Sequence, residues 1–487
     1  EPQGHGFFLP LWMMLGWASR LTGLSVVVVF HIARVLSALL VLMAAWLVGR
    51  VLMKSRARLS FLLWTVGFSG GLGWLVFAVG DLSSILSGKS AIHGYQMGTM
   101  PVDINMPEAT VFRSAYCQVH MNLGAALICA SIVLLIKAIA ESNERYAVGA
   151  GLLATVLALV HPYQVVVTGS VAVVIWATVA VAALFPRQRN GVANMLRLGA
   201  AFLLASLPGL IYLIYVRNTD NVVQEWLRTM STLSPNPIQY LLGFGVSAFL
   251  GIAGMILLWR GKKLPGRLLL VWMVIQTLLL YAPVNFQRRL VEGLQVPLSV
   301  AFSIAIFWLL RKIHVRPRRL ISRRVLLSGV VIFASLTSVG FIAGAAAGLG
   351  EPDARRYLDS NLASALKWVG ANAEPDSVLL SSYMTGNVAP AISGLGVYLG
   401  HYDQTLRSRE KGQEIAEFYS GAMPASYAAD FVAQNHLSYC VYGPFERQLF
   451  PSFRAPEYFQ LIYRSPSVDI YKIDNPAAAK TEGTNRR

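Results

Sequence analysis

Clusters of Lys and Arg recur between long apolar stretches, and that rhythm constrains the chain more than any single motif does. Arg50, Lys54, Arg56 and Arg58 follow one apolar run, and Arg187, Arg189 and Arg197 follow a later one. Arg260, Lys262, Lys263 and Arg267 follow the next. The segment from Arg311 to Arg324 then carries Arg311, Lys312, Arg316, Arg318, Arg319, Arg323 and Arg324 with no acid among them. The loops between these clusters are nearly neutral. Short cytoplasmic loops hold the Lys/Arg excess because positive charge resists translocation. The pattern predicts a polytopic α-helical membrane protein of the cell (inner) membrane, multi-pass, with every basic loop on the inner side.

Composition agrees with that class. Charged residues make up 13% of the chain, against about 25% in soluble domains, and the mean hydropathy is +0.53. The net charge of +17 would point to nucleic acid in a soluble protein, but it is unevenly placed. Residues 1–348 hold 28 Lys/Arg and 9 Asp/Glu, whereas residues 349–475 hold 10 and 14. The basic excess therefore belongs to membrane loops, where orientation and anionic head groups account for it, and no nucleic-acid partner is expected. Cys117 and Cys129 fall on or near spans and Cys440 on a strand, so the three cysteines read as small apolar fillers rather than a disulfide framework.

A spanning helix needs about 20 apolar residues. About ten stretches qualify, near 24–52, 60–79, 115–139, 147–160, 163–185, 195–217, 238–260, 267–284, 294–311 and 325–347. His161-Pro162-Tyr163 divides what would otherwise be one apolar stretch, because Pro162 removes a backbone donor and breaks a helix. Two spans turning outside at that point keep all basic loops on one side; a single span does not. Residues 7–19 are too short and too aromatic to cross and read as a juxtamembrane helix lying in the interface. The chain divides into a multi-span region (1–348), an outer domain (349–475) and a disordered polar tail (476–487). This topology also places residue 1 outside, and a chain opening on Glu1 rather than Met predicts a cleaved signal peptide or a further transmembrane helix before it.

The outer domain reads as a small α/β sheet. DARRYLDSNLASALKWVG (353–370) is amphipathic, SVLLS (377–381) is a buried strand, and a short helix follows Thr385. VYLG (397–400), YCVYG (439–443) and a hairpin formed by FQLIYRS (459–465) and VDIYKI (468–473) add strands, with helices at about 405–420 and 425–435. Strands alternating with helices indicate an α/β layer.

Four outward-facing constellations carry polar chemistry. The loop after the second span holds Asp103 and Glu108, two carboxylates that suit a general base or a cation ligand, or merely a solvated loop. His120 opens the next span. His161 and Tyr163 flank the Pro162 break, lining a cavity or simply marking the helix end. Ser234-Pro235-Asn236-Pro237, with Gln239 and Tyr240, fits helix initiation. Asn285-Phe286-Gln287-Arg288-Arg289-Leu290-Val291-Glu292-Gly293 is the sharpest. Two arginines there oppose the positive-inside trend, so something must hold them: a phosphate, which suits the planar guanidinium fork, or Glu292 as a structural partner. His31 and Arg34 in the first span are of the same kind.

In the order of these features the chain resembles the GT-C superfamily of integral-membrane glycosyltransferases, in particular bacterial members with a C-terminal extracytoplasmic α/β domain. The resemblance runs through the aromatic helix Phe7 to Trp17, Met106-Pro107-Glu108, Phe286-Gln287-Arg288-Arg289 with Glu292-Gly293, and Thr385-Gly386-Asn387. It continues through Gly400-His401-Tyr402-Asp403-Gln404-Thr405 and Tyr442-Gly443-Pro444-Phe445-Glu446-Arg447. It implies transfer of a sugar from a polyprenyl-phosphate-linked donor, a membrane lipid, to an unspecified acceptor at the extracytoplasmic face. Asp103 or Glu108 would be catalytic, Arg288 and Arg289 would hold the lipid phosphate, and Glu292, His161 and Tyr163 would support or join the site. His401, Gln404, Glu446 and Arg447 would cap it or meet the acceptor, and a divalent cation is the one cofactor the resemblance leaves open. Such enzymes carry an acid soon after their first span; here that span and acid would precede Glu1, with Glu1 and His5 its nearest remnants. The alternative class is a non-catalytic membrane scaffold or assembly subunit. The topology is checked by impermeant thiol labelling of intact cells: Ser408→Cys is expected to react and Ser322→Cys is not, and the reverse pattern would invert the topology.

Overall fold

The structure is a computed structural model that describes residues 10–76, 78, 100–183, 189–261, 263–313, 323–350 and 357–474. Glu1, His5, the start of the juxtamembrane helix, the inner loop 314–322, the residues 353–356 and the tail 476–487 lie outside the described residues. Contacts divide the chain into two compact units. The larger lies within Phe8–Asn218 and Ser231–Gly348; the smaller comprises Thr219–Met230 and residues within Leu349–Arg487. Sequence reading leaves 219–230 in the membrane region, yet it folds with the smaller unit.

The larger unit is helical throughout. α1 (Pro10–Thr22) buries none of its side chains and exposes Met13, Met14, Trp17 and Leu21, as an interfacial helix does. Every one of the ten apolar stretches carries helix. They are α2 (Val26–Leu52), α3 (Arg56–Phe68), then, past the short α4 (Val102–Asn105) and α5 (Val111–Cys117), α6 (Val119–Glu141). α7 (Glu144–Val160), α8 (Gln164–Ala183) and α9 (Arg189–Thr219) follow, and after α10 (Asn221–Thr229) of the smaller unit come α11 (Pro237–Phe244) and α12 (Val246–Arg260). α13 (Leu264–Leu279), α14 (Gln295–Ile313) and α15 (Arg323–Ala347) complete the set. Among the described residues, five helices are long and apolar enough to cross a bilayer unaided, or six if the bent pair α11–α12 counts as one, rather than ten. The shortfall has a physical cause: α3, with 13 residues, and α13, with 16, reach only about 20–24 Å at 1.5 Å per residue.

The helices are interrupted where backbones approach closely. α11 and α12 meet at 95° through Gly245, whose φ of +49° favours glycine. That corner packs on the segment Ser69–Gly73 following α3: Leu72 N–H donates to Leu242 C=O at 2.8 Å, and a Cβ on Gly71 would overlap the backbone of Leu242 and Gly243. Elsewhere polar side chains tie helix to helix, as Ser131 Oγ does to Ala150 C=O (3.1 Å) and Thr155 Oγ1 to Ala205 C=O (2.9 Å).

In the smaller unit, five strands form a mixed sheet in the order β2-β1-β3-β5-β4. β1 (Val378–Leu380) pairs in parallel with both β2 (Gly396–Val397) and β3 (Leu437–Tyr442), and the hairpin β4 (Phe459–Arg464)–β5 (Asp469–Ile473) adds antiparallel to β3. The period of two in β3 sends Tyr439 and Val441 to a core with α16 (Ser360–Asn372) and α17 (Tyr383–Ser393). It sends Cys440 and Tyr442 to a core with α18 (Ser408–Ser420) and α19 (Ala425–Gln434). Cys117, Cys129 and Cys440 are all free thiols.

The glycine corner gives a stability prediction. Gly71→Ala forces backbone apart and is expected to destabilise the protein by about 2 kcal/mol or more, seen as a lower Tm in detergent. Gly169→Ala, where an added Cβ meets nothing within 4 Å, is expected to leave Tm unchanged or raise it.

Candidate functional site

Arg288 and Arg289 sit on a 3₁₀ turn, Gln287–Val291, in the break between α13 and α14. Such a turn leaves carbonyls unsatisfied, and buried side chains answer them. Gln276 Nε2 of α13 donates to Leu290 C=O (2.8 Å) and Glu292 C=O (2.7 Å), and its own Oε1 accepts from Trp272 Nε1 at 2.7 Å. Gln164 Nε2 at the start of α8 donates to Arg289 C=O at 2.7 Å. From the third side, Arg288 N–H donates to Thr232 C=O (3.1 Å), and Gln287 Oε1 accepts from Ser234 N–H (3.1 Å).

The two guanidinium groups converge on Glu108. Arg288 Nε lies 3.2 Å and Arg289 Nε 4.0 Å from Glu108 Oε1. The glutamate side chain is fully buried while the arginines stay about a quarter exposed, so the clamp opens on the arginine side. These are charge contacts without aligned hydrogen bonds: both Glu108 oxygens and both arginine Nε atoms lack a hydrogen-bond partner. Glu108 occupies the turn Pro107–Ala109, fixed by Ser114 Oγ donating to Pro107 C=O (2.8 Å) and, through Val111 N–H (2.7 Å), by Gln295 Oε1. Gln295 in turn donates to Ser69 C=O at 2.9 Å.

Glu292, expected as the arginines' neighbour in charge, faces the other way. Its carboxyl meets His161 Nδ1 at 2.9 Å, both residues being buried. Burial, with the Arg289 charge next, lowers the His161 pKa to about 3, and burial with the nearby Glu108 raises Glu292 well above the carboxylate range. Each shift is in the direction that burial imposes on an ionisable group. Gly124 of α6 makes room for it, since a Cβ there would overlap Glu292 Oε1. The His161 ring lies edge-on to His120 at 4.9 Å, and Tyr163 packs against Phe286 at 4.7 Å.

Asp103 does not join the arginines. Its Oδ2 accepts from Gly71 N–H (2.7 Å) and Gly73 N–H (3.2 Å), stapling α4 to the glycine-rich break after α3. The expectation that both acids face one centre therefore holds for Glu108 alone. In the smaller unit, His401 and Gln404 are exposed and line a separate polar cavity of about 410 Å³ together with Asn387 and Thr405. Glu446 and Arg447, expected near the acceptor, are committed to structure. Glu446 is wholly buried and accepts from Ser382 N–H (2.7 Å) and Gly443 N–H (3.0 Å), the orphan amides beyond β1 and β3. Arg447 pairs with Asp469 at 2.8 Å.

Beside the clamp lies an apolar groove of about 420 Å³ between α11, α12 and α13, lined by Pro237, Tyr240, Phe244, Ile252, Leu278 and Tyr281 among others. The Tyr240 hydroxyl, 2.9 Å from Ser234 Oγ, stands in the field of both Glu108 and Arg288. Sequence reading took Ser234-Pro235-Asn236-Pro237 only as a helix start. Asn236 does cap α11, but Ser234 also binds the arginine turn and Tyr240. The tethers Gln164, Gln276 and Gln295 went unnoticed; lone glutamines in apolar helices were the available signal.

No family model matches the chain, and no curated protein matches it in sequence. Solved structures do. The Archaeoglobus fulgidus oligosaccharyltransferase superposes with a TM-score of 0.54 at 12% identity, covering 97% of this chain and 66% of that one. The chain thus spans about two thirds of that protein's length. ArnT from Cupriavidus metallidurans superposes with a TM-score of 0.53 at 13% identity, covering 96% of this chain and 88% of that one. At these identities the likeness is one of fold, and the chain shares the fold of both.

Asp103 lies outside the spanning segments and yields a pH prediction. Desolvation outweighs its amide hydrogen bonds and raises its pKa from 3.8 to about 6. The folded state therefore holds this proton more tightly than the unfolded chain. The stabilisation is full below about pH 4 and lost as pH rises through about 6, up to about 3 kcal/mol in all at 1.36 kcal/mol per unit. Asp103→Asn keeps an acceptor for Gly71 but cannot titrate. The Tm of wild type relative to Asp103→Asn is expected to fall between pH 4 and 7; parallel curves would show that Asp103 does not titrate there.

Proposed function

We propose that the chain is a membrane glycosyltransferase that moves a sugar from a polyprenyl-phosphate-linked donor to an acceptor at the extracytoplasmic face. The observation that carries this reading is the arginine pair turned onto a buried, poorly hydrogen-bonded Glu108, next to an apolar groove. A phosphate on a long apolar tail needs both features side by side. ArnT has been solved bound to undecaprenyl phosphate, and the archaeal oligosaccharyltransferase tethered with an acceptor peptide, which supports the same reading.

On this reading the lipid phosphate takes the place on Arg288 and Arg289 that Glu108 holds in its absence. The acceptor oxygen attacks the anomeric carbon, the bond from that carbon to the phosphate oxygen breaks, and the polyprenyl phosphate departs. The guanidinium pair stabilises the negative charge gathering on that phosphate. Glu108, released from the arginines, accepts the proton of the attacking hydroxyl. The multi-span region (1–348) supplies this chemistry, and the domain 349–475, through the cavity holding His401 and Gln404, serves the acceptor side. Among the described residues no group of three or more His, Cys, Asp or Glu is arranged to hold a metal ion, and Glu108 faces two guanidinium groups.

The test is binding of undecaprenyl phosphate to the purified protein. Losing one charge-assisted contact costs about 1.5–3 kcal/mol, roughly ten- to a hundredfold in affinity. Arg288→Ala and Arg289→Ala are expected to show that loss, with Arg→Lys intermediate because the ammonium lacks the fork. Because a lone buried carboxylate can unfold the variant, each is paired with Glu108→Gln as a foldable control. Unphosphorylated undecaprenol is expected to bind all variants alike. Unchanged phosphate affinity would remove the lipid-linked donor and leave the scaffold as the better reading.

A further inference from the structure

A second groove lies at the other end of α13. It has a volume of about 560 Å³ and runs between α8, α12 and α13, lined by Val174, Thr178, Met255, Trp259, Arg267 and Val271 among others. The lining is apolar up to its mouth, where the Arg267 guanidinium stands 5.8 Å from the centre of the Trp259 ring. Arg267 occupies the first turn of α13 and the arginine turn follows its last, so the helix between them rises about 18 Å. The mouth at Arg267 is thus distinct from the clamp, while the two grooves adjoin at Met255 and Val274.

Arg260 and Lys263 flank the same mouth in sequence, and all three cations are exposed. Among the described residues no ion pair to Arg260, Lys263 or Arg267 is found, and neither the sequence between Glu225 and Glu292 nor α8 contains an Asp or Glu. The orientation bias of basic loops accounts for Arg260 and Lys263. It does not account for an arginine that lines an apolar groove beside a tryptophan. A tryptophan at a helix end marks the depth of lipid head groups, and basic pockets between transmembrane helices bind phosphate-bearing lipids.

We propose that this groove binds an anionic phospholipid from the leaflet on the side of the basic loops. Its phosphate rests on Arg267, Trp259 lies against the glycerol region, and one acyl chain follows Val174, Met255 and Val271. The test uses the full chain, purified in neutral detergent, with phosphatidylglycerol and phosphatidylcholine of identical acyl chains, read by native mass spectrometry and by the lipid-induced rise in Tm. Phosphatidylglycerol is expected to bind at least tenfold more tightly, and Arg267→Gln to abolish that preference while its lipid-free Tm matches wild type. Arg288→Ala is expected to keep it. Trp259→Leu, a second exposed position, is expected to weaken both lipids together. Equal binding of the two lipids overturns the proposal. So does a preference that survives Arg267→Gln and disappears only in Arg260→Gln/Lys263→Gln, which would reduce it to general surface charge. Displacement of the phosphatidylglycerol from Arg288→Ala protein by undecaprenyl phosphate overturns it too, by making the groove a carrier-lipid site.

Discussion

A carboxylate withdrawn from water next to two guanidinium groups is the constraint on which the rest of the larger unit turns. A buried carboxyl is best tolerated against opposite charge, and Glu108 lies against Arg288 and Arg289. Holding them there requires non-helical backbone in an apolar setting, which in turn requires partners for every freed carbonyl and amide. Those partners are side chains of the surrounding helices: Gln276 and Gln164 on the arginine turn, Gln295 on the glutamate turn. The breaks after α3, α7, α11 and α13 thus supply, between them, the Gly71 amide, His161, the α11–α12 corner and the arginine turn of one connected arrangement.

The three acids of this region occupy three different electrostatic states, set by what each one faces. Glu108 faces cations. Asp103 faces backbone amides, which hold it in place without cancelling the cost of its burial. Glu292 faces the His161 imidazole, and burial raises its pKa. Only the first is set against the two guanidinium groups, where an incoming anion would meet it.

Much of this was legible in the sequence where local pattern decides. The apolar stretches, the break at Pro162, the interfacial helix and all five strands follow from periodicity and from proline and glycine chemistry, and each has its element in the structure. Length within a span was less legible: α3 ends at Phe68 because Gly70, Gly71 and Gly73 give the chain a bend into which the α11–α12 corner can pack, and that corner is about 170 residues away in sequence. Of the candidate residues, Arg288, Arg289 and Glu108 announce themselves as charges in the wrong place. Their pairing does not, since Glu292 is the nearer acid in sequence and only the fold, through Gly124, turns it toward His161. Asp103 misled for the same reason. Five residues from Glu108, it is separated from it by Pro107, which starts a new turn and aims the two carboxylates apart. Glu446 and Arg447 looked reactive because they are charged, yet one seals strand ends and the other fastens a hairpin.

The remaining imbalance is the most informative feature. Two guanidinium groups meet one carboxylate, and the unequal distances, 3.2 Å for Arg288 and 4.0 Å for Arg289, leave Arg289 the less well compensated. The next acid in sequence is turned to His161, and the arginines retain about a quarter of their surface. A structural ion pair would gain nothing from that surplus, because one arginine would satisfy one glutamate at a lower desolvation cost. On the proposed reading, these guanidinium groups, opening beside an apolar groove that begins at Tyr240, would receive a ligand with an acidic phosphate and a hydrocarbon chain. A free sugar nucleotide would bring more charge and no tail. The proposed lipid-linked donor thus rests on two observations, the arginine clamp and the apolar surface beside it.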